Sequence, residues 1–291
     1  MKIIKPTVTI PYIDGVSVMK NIERAGRTCY KSEVLSNDSY KKFIKSIITR
    51  GHESVLEHEK VTVRLVTDRG TMWDITRHRH ASFSIESSRY CNYSKDKFGN
   101  EIKVIEPFFL KPDVEVEDPV CWQPYLAWST SVQEAEKSYF KILELATKPD
   151  YARMVLPASL ATEIVMTANI REWRHILKLR CASTVHPHVR QVMIPILQHF
   201  KSIMPELFED IHYDEEFAQK YNNDLAKVEI EASDVQLWVV NEYTEVAQED
   251  ISDGDNYSDG FSNGYRQARM DTLWEVIIKT YRDKGIMEVE L

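Results

Sequence analysis

Residues 77–90 read Arg-His-Arg-His-Ala-Ser-Phe-Ser-Ile-Glu-Ser-Ser-Arg-Tyr, placing three arginines, two histidines, four serines and a tyrosine in one short stretch. Trp73, Ile75, Ala81, Phe83 and Ile85 are interleaved with them, which implies partial burial and argues against a fully solvated basic face. A guanidinium removed from water without an anion is costly. Its planar fork of donors matches phosphate geometry. Any fold this chain adopts must therefore supply an anion to this stretch, and a phosphorylated ligand is the reading it supports.

The overall charge narrows the ligand class. A net charge of -8 over 291 residues does not give the broad positive surface that a nucleic-acid track needs, whereas a local basic cluster suits a small anionic molecule. The chain is 43% hydrophobic, enough to bury one large core or two small ones. Its apolar runs, such as residues 192–197, are too short to span a bilayer, and residues 1–6 lack the apolar stretch of a signal peptide. No membrane partner is expected. Cys29, Cys91, Cys121 and Cys181 are scattered with no Cys-x-x-Cys, the usage of reduced thiols in a cytoplasmic protein.

Apolar periodicity predicts strands over residues 7–12 and 61–65 and helices over 16–28, 39–50, 124–147 and 189–204. Residues 52–58 read as a compact polar turn, and Asp68-Arg69-Gly70 as a break before a helix over 71–80. Residues 93–112 form a loop or hairpin around Phe98-Gly99-Asn100, with Ile102, Val104 and Ile105 as strand material. Residues 160–179 read as one strongly helical segment. Beyond about residue 225 the texture changes: residues 249–256 form an acidic, turn-rich link, and 263–284 a further helix without evident chemistry. The expected class is α/β (α+β): an antiparallel sheet flanked by long helices, with a domain over 1–225 and a C-terminal helical extension over 226–291.

A second polar set lies in residues 169–180. On a helix, Arg171 and His175 share one row and Arg174 and Lys178 the next, while Ile170, Trp173, Ile176 and Leu177 form the packing face. An ordinary amphipathic helix with a basic outer face explains most of this, but Asn169 and Arg180 at its ends add polar contacts suited to a ring system. His78-Arg79-His80 and His186-Pro187-His188 lack acidic or thiol partners at metal-ligand spacing, so no metal is expected. Ser87 lies in no nucleophile elbow, and a serine among arginines donates to phosphate. With neither a Gly-x-Gly-x-x-Gly nor a Walker loop, any dinucleotide is held by arginines and side-chain amides.

Arg77-His78-Arg79, seven residues and then Ser87 resembles the Arg-His-Arg-x7-Ser signature of the flavin-dependent thymidylate synthases, and the similarity continues through Arg89-Tyr90. Residues 52–58, 152–157 and 169–180 resemble further family blocks, in the family's order. The resemblance implies a homotetramer with active sites between subunits, making dTMP from dUMP with FAD as cofactor and NADPH and methylenetetrahydrofolate as co-substrates. Carried onto matching positions, Arg77, His78, Arg79, His52, Ser54, Asn169, Arg171 and His175 fall on the FAD side. Asp74, Ser87, Arg89 and Arg153 fall on the dUMP side, Tyr90 near the folate, and Arg180 beside the uracil ring as the catalytic group. The sequence departs from the family at Ile85, where many members carry an acidic or amide residue that Glu86 could replace. It departs again at Ser84 (commonly Asn), Asp74 (usually Gln or Glu) and His175 (Asn in some members). These departures keep a catalytically silent flavin- or nucleotide-binding homologue as the alternative.

Overall fold

The structure, a computed structural model, describes residues 1–34, 36–112, 119–146 and 148–231. Strands β1 (Lys2–Ile4) and β2 (Thr7–Pro11) precede helices α1 (Gly15–Tyr30) and α2 (Ser39–Thr49). Then come β3 (Lys60–Asp68), α3 (Arg69–Ile75), β4 (Ala81–Ile85) and β5 (Lys103–Ile105). The rest comprises α4 (Gln123–Ala146), α5 (Pro149–Ala152), β6 (Ala161–Asn169), α6 (Ile170–Arg180), α7 (Pro187–Ile203), α8 (Pro205–Phe208), α9 (Glu215–Lys220) and β7 (Lys227–Glu231). A mixed α and β architecture is thus present. One sheet has the order β4-β6-β3-β2-β7, while β1 and β5 form a separate parallel pair.

Side-chain alternation decides which face of the large sheet is covered. The antiparallel β3/β6 register sets Val61 opposite Ala168, Val63 opposite Met166 and Leu65 opposite Ile164, and all six are buried. Thr62 and Thr167, one step along, share a 2.8 Å hydrogen bond on the other face. β4 adds Phe83 opposite Met166, so its apolar residues join the core while Ser82 and Ser84 stay exposed. Trp173 of α6 closes over this layer: its indole N–H donates to the Val61 carbonyl at 3.0 Å and its ring meets Phe200 edge-on at 5.5 Å. A second, smaller cluster joins Tyr93, Ile102, Val104 and Leu160 to Val132 and Tyr139 of α4.

Two sequence expectations need correction. The helix over 160–179 is in fact a strand followed by a helix: β6 ends at Asn169, whose side chain accepts from the Glu172 N–H at 2.8 Å and starts α6 without an intervening loop. Ala, Glu and Met favour helix locally, but Thr162, Ile164, Val165 and Thr167 are stiff β-branched residues that fit the centre of a sheet. The same device corrects Asp68-Arg69-Gly70. Asp68 ends β3 and caps α3, accepting from the Thr71 N–H at 2.9 Å, and the helix stops at Ile75, well before His80. Residues 81–85 then form β4, a strand that the basic run conceals.

The strand material around 102–105 pairs with the N-terminus, as β5 against β1, and not in a local hairpin. Gly99 and Asn100, both at positive φ, make the expected turn. A compact unit spans Met1–Ile230, and its edge strand β7 lies beyond the boundary expected near residue 225. The acidic link at 249–256 and the helix over 263–284 lie outside the described residues. Among the described residues no helix is long and apolar enough to cross a membrane.

Gly15 begins α1 against the end of α7, where an added Cβ would lie 2.0 Å from the Ile203 carbonyl oxygen. Backbone cannot step aside as a side-chain tip can. Gly15→Ala is therefore expected to cost about 1–3 kcal/mol in chemical denaturation; an unchanged midpoint would mean that the two helix ends are not in contact.

Candidate active site

The Arg-His-Arg triplet lies in the turn between α3 and β4, and its three side chains separate. His78 is buried while Arg77 and Arg79 are exposed, with no ion pair among the described residues. His78 meets the end of α6, where Arg180 Nε donates to His78 Nε2 at 3.0 Å and Arg180 Nη2 donates to the Asp74 carbonyl at 2.7 Å. A guanidinium has no lone pair to offer, so His78 must accept through Nε2. The proton of the neutral ring then sits on Nδ1, 3.5 Å from Glu172 Oε1. Burial, followed by the charges of Arg180 and His175, lowers the His78 pKa from 6.5 to about 4. His78 is thus a neutral prop for Arg180, whose Nη1 has no protein partner among the described residues.

Two recesses hold most of the other predicted residues. The first, about 610 Å³, is lined by Asn169, Arg171 and His175 of the predicted FAD set, together with Glu53, Glu57, His80, Glu172, Arg174 and Lys178. Arg171 Nη1 donates to Glu57 Oε1 at 2.6 Å, in an exposed pair that an incoming anion can replace. Arg174, expected on an outer basic face, is instead buried. It grips Asp210 through both terminal nitrogens at 2.8 Å and donates to the Leu207 carbonyl. Its Nε is buried without a hydrogen-bond partner. His52 and Ser54 are exposed, beside and in the Glu53–His58 turn, and neither lines the recess.

The second recess, about 280 Å³, is lined by Ser87 and Arg153 of the predicted nucleotide set, with Arg69, Glu86, Ser88, Tyr93 and Thr162 among its other walls. Tyr93 donates to Glu86 Oε1 at 2.9 Å, and burial, with that carboxylate beside it, pushes the phenol pKa up. Arg89 joins this side through Asp150: Arg89 Nε lies 3.2 Å and Arg153 Nε 3.1 Å from the same carboxylate oxygen. Tyr90 is 80% exposed, with the Arg89 guanidinium 5.7 Å from its ring centre. Asp74 contributes its carbonyl to Arg180.

The structure thus gathers the predicted residues into two groups that line separate recesses, with the Arg180–His78 joint as a third piece. Sequence reasoning overlooked Glu53, Glu57, His80 and Arg69. Only Lys178 and Arg174 carried a usable signal, the four-residue spacing from Arg171 and His175 along α6. The histidines read as a weak metal motif are used otherwise. His188 Nδ1 lies 3.0 Å from Asp68 Oδ2 in the interior. Burial alone would raise the Asp68 pKa, but His188 and Thr71 outweigh it and hold that carboxyl low.

Residues 16–206 match the family model described as thymidylate synthase complementing protein. A probable flavin-dependent thymidylate synthase of Mycobacterium phage D29 is 30% identical over 198 residues, covering 65% of this chain and 81% of that protein. The flavin-dependent thymidylate synthase of Mycobacterium avium (strain 104) is 30% identical over 203 residues, covering 65% and 78%. That of Halobacterium salinarum is 29% identical, covering 65% and 79%.

A histidine that resists protonation when folded makes stability depend on pH with a definite sign. The unfolded chain takes up the His78 proton near pH 6.5 and the folded one only near pH 4. Stability is therefore unaffected above the first value and falls as pH drops between the two, by at most about 3 kcal/mol. Ring-nitrogen NMR should show His78 neutral, with the proton on Nδ1, down to about pH 5; titration at 6.5 would contradict the joint.

Proposed function

The chain belongs to the thymidylate synthase complementing protein family, and on that premise we propose that it is a flavin-dependent thymidylate synthase that methylates dUMP reductively to dTMP. The observation that carries this reading is the joint between the family signature and the last residue of α6. It fixes one arginine by two bonds while leaving donors uncommitted for a ligand.

Building a methyl group onto C5 of uracil requires electron density at that carbon, with negative charge spreading to ring N3 and the carbonyl oxygens. Arg180 is the group proposed to receive that charge. Because His78 and the Asp74 carbonyl already hold its fork, little reorganisation is needed when the charge develops. A preorganised donor of this kind contributes about 3–4 kcal/mol to lowering the barrier. Neutral His78 matters here too, since an imidazolium beside Arg180 would repel the guanidinium instead of accepting from it.

The larger recess suits FAD by its donors. Arg171, Lys178 and His80 offer positive or hydrogen-bonding groups to a pyrophosphate, and Asn169 and His175 offer polar edges to a ring. Arg77, Arg79, His52 and Ser54 are proposed to complete the grip from exposed positions. Bound and reduced, the flavin supplies the hydride, a transfer no side chain of this protein can perform. NADPH as reductant and methylenetetrahydrofolate as carbon donor complete the proposed reaction, with the exposed Tyr90 ring as a stacking surface for the folate.

The smaller recess is proposed for dUMP, with Ser87, Arg89 and Arg153 on its phosphate and sugar and Asp74 nearby. The two sets of walls have no residue in common, and the proposed assembly is a homotetramer with active sites between subunits. Scattered free cysteines accord with a cytoplasmic setting. We further propose that residues beyond the compact unit, which ends at Ile230, are an accessory extension.

The purified protein should show flavin absorbance, or acquire it on FAD addition, and release tritium from C5-labelled dUMP when NADPH and methylenetetrahydrofolate are supplied. Arg180→Ala should lose turnover by about 100- to 1,000-fold while keeping its flavin. Equal loss of both would assign Arg180 to cofactor binding, and a wild-type protein without flavin would remove the proposal.

A further inference from the structure

Resting on that reading, we propose that Glu172 is a positioning residue for Arg180: its carboxylate holds the His78 proton on Nδ1 and so keeps Nε2 free to accept from the guanidinium. Three observations carry the inference. Glu172, in the first turn of α6, is buried, and its sole ion-pair partner among the described residues is His78, with Oε1 3.5 Å from Nδ1. His78 is buried as well, so little water reaches the ring to compete for that proton. The other ring nitrogen is committed, because Nε2 takes the Arg180 Nε–H at 3.0 Å.

The chemistry of the ring calls for such a group. A neutral imidazole carries one proton, and either nitrogen can hold it. Were it on Nε2, two donors would face each other, and Arg180 would keep only its bond to the Asp74 carbonyl. A carboxylate beside Nδ1 accepts without offering a proton, so it favours the tautomer that points its N–H there. The other charged or titratable groups facing His78 are Arg180 and His175. Arg180 has only donors, and His175 meets the ring edge-on at 5.8 Å between centroids, with no hydrogen bond to it among the described residues. The anion is well sited, because the Asn169 side chain takes the Glu172 N–H at 2.8 Å and a helix start favours negative charge. Glu172 and His175 also line the larger recess, so the hold on Arg180 extends to the wall proposed for FAD.

The test reads the His78 tautomer and turnover together, in FAD-loaded wild type, Glu172→Leu and Glu172→Gln. Leucine keeps the volume and removes the acceptor; glutamine keeps an acceptor and loses the charge. Ring-nitrogen NMR should find the His78 proton on Nδ1 in wild type and largely on Nε2 in Glu172→Leu. At saturating FAD and dUMP, kcat of that variant should fall about 10- to 100-fold, as for outer groups that orient a functional histidine, with KM for dUMP changed less. Glu172→Gln should lie between the two in both readouts, and it decides the matter if leucine prevents folding. A proton that stays on Nδ1 in Glu172→Leu, or a glutamine variant equal to wild type in tautomer and kcat, would overturn the inference. So would a changed tautomer with unchanged kcat, which would leave Glu172 with no task beyond starting α6. Wild-type protein that loads FAD and keeps His78 protonated on Nδ1, yet releases no tritium from dUMP, would instead sink the functional reading, and the positioning role with it.

Discussion

The pairing of Arg180 with a neutral His78 is the constraint from which the rest of the site follows. Two helices leave opposite ends of the β3/β6 pair, each started by a strand-terminal side chain, Asp68 for α3 and Asn169 for α6. Their far ends meet where Arg180 donates to His78 and to the Asp74 carbonyl. The bond to His78 could not form if that ring were charged, because both its nitrogens would then be donors. Burial, together with the charges of the guanidinium itself and of His175, keeps the imidazole unprotonated over the physiological range. Fold and electrostatics thus depend on each other: the core dries the histidine, and the dry histidine accepts from the arginine.

That interdependence explains the split of the signature. In a turn following a short helix, successive side chains diverge, so only the middle residue of Arg77-His78-Arg79 can enter the core. The flanking arginines remain at the surface, where exposed ion pairs contribute little to stability. What looks in sequence like a single basic cluster is, in three dimensions, one internal prop between two outward-facing cations.

The sequence made most of the apolar framework legible, and the reason is periodicity. The alternation at Val61, Val63 and Leu65 and the helical spacing of Ile170, Trp173, Ile176 and Leu177 both correspond to buried faces. The sequence concealed a junction at which one period gives way to another without glycine or proline: β6 passes into α6 across Asn169, where a single polar cap is the sole punctuation. β4 was hidden for a different reason: its outward residues are serines inside a basic run, and Phe83 and Ile85 point to the core only because the neighbouring strand supplies Met166 and Ile164 opposite them. Within the site, Asn169, Arg171 and His175 were traceable from helical spacing. Glu53, Glu57 and Arg69 were not, since their relevance comes from tertiary proximity alone.

Burial sorts the arginines by what they can do for a ligand. Arg174 is 1% exposed and its bonds to Asp210 and Leu207 lock α6 to the chain after α8; exchanging them for an anion would strand Asp210. It belongs to the scaffold. The Arg171–Glu57 pair is about half-exposed on both sides, and the Arg89–Asp150–Arg153 group is partly exposed throughout. Such pairs are worth at most about 1 kcal/mol, whereas a doubly charged phosphate held by two guanidinium groups gains more. The carboxylates at Glu57 and Asp150 can therefore serve as internal counter-ions: they keep the arginines ordered and soluble while the recesses are empty, and they yield at small cost. An acidic protein can in this way maintain local phosphate sites against its own net charge, because Arg171, Arg89 and Arg153 are neutralised until a stronger anion arrives.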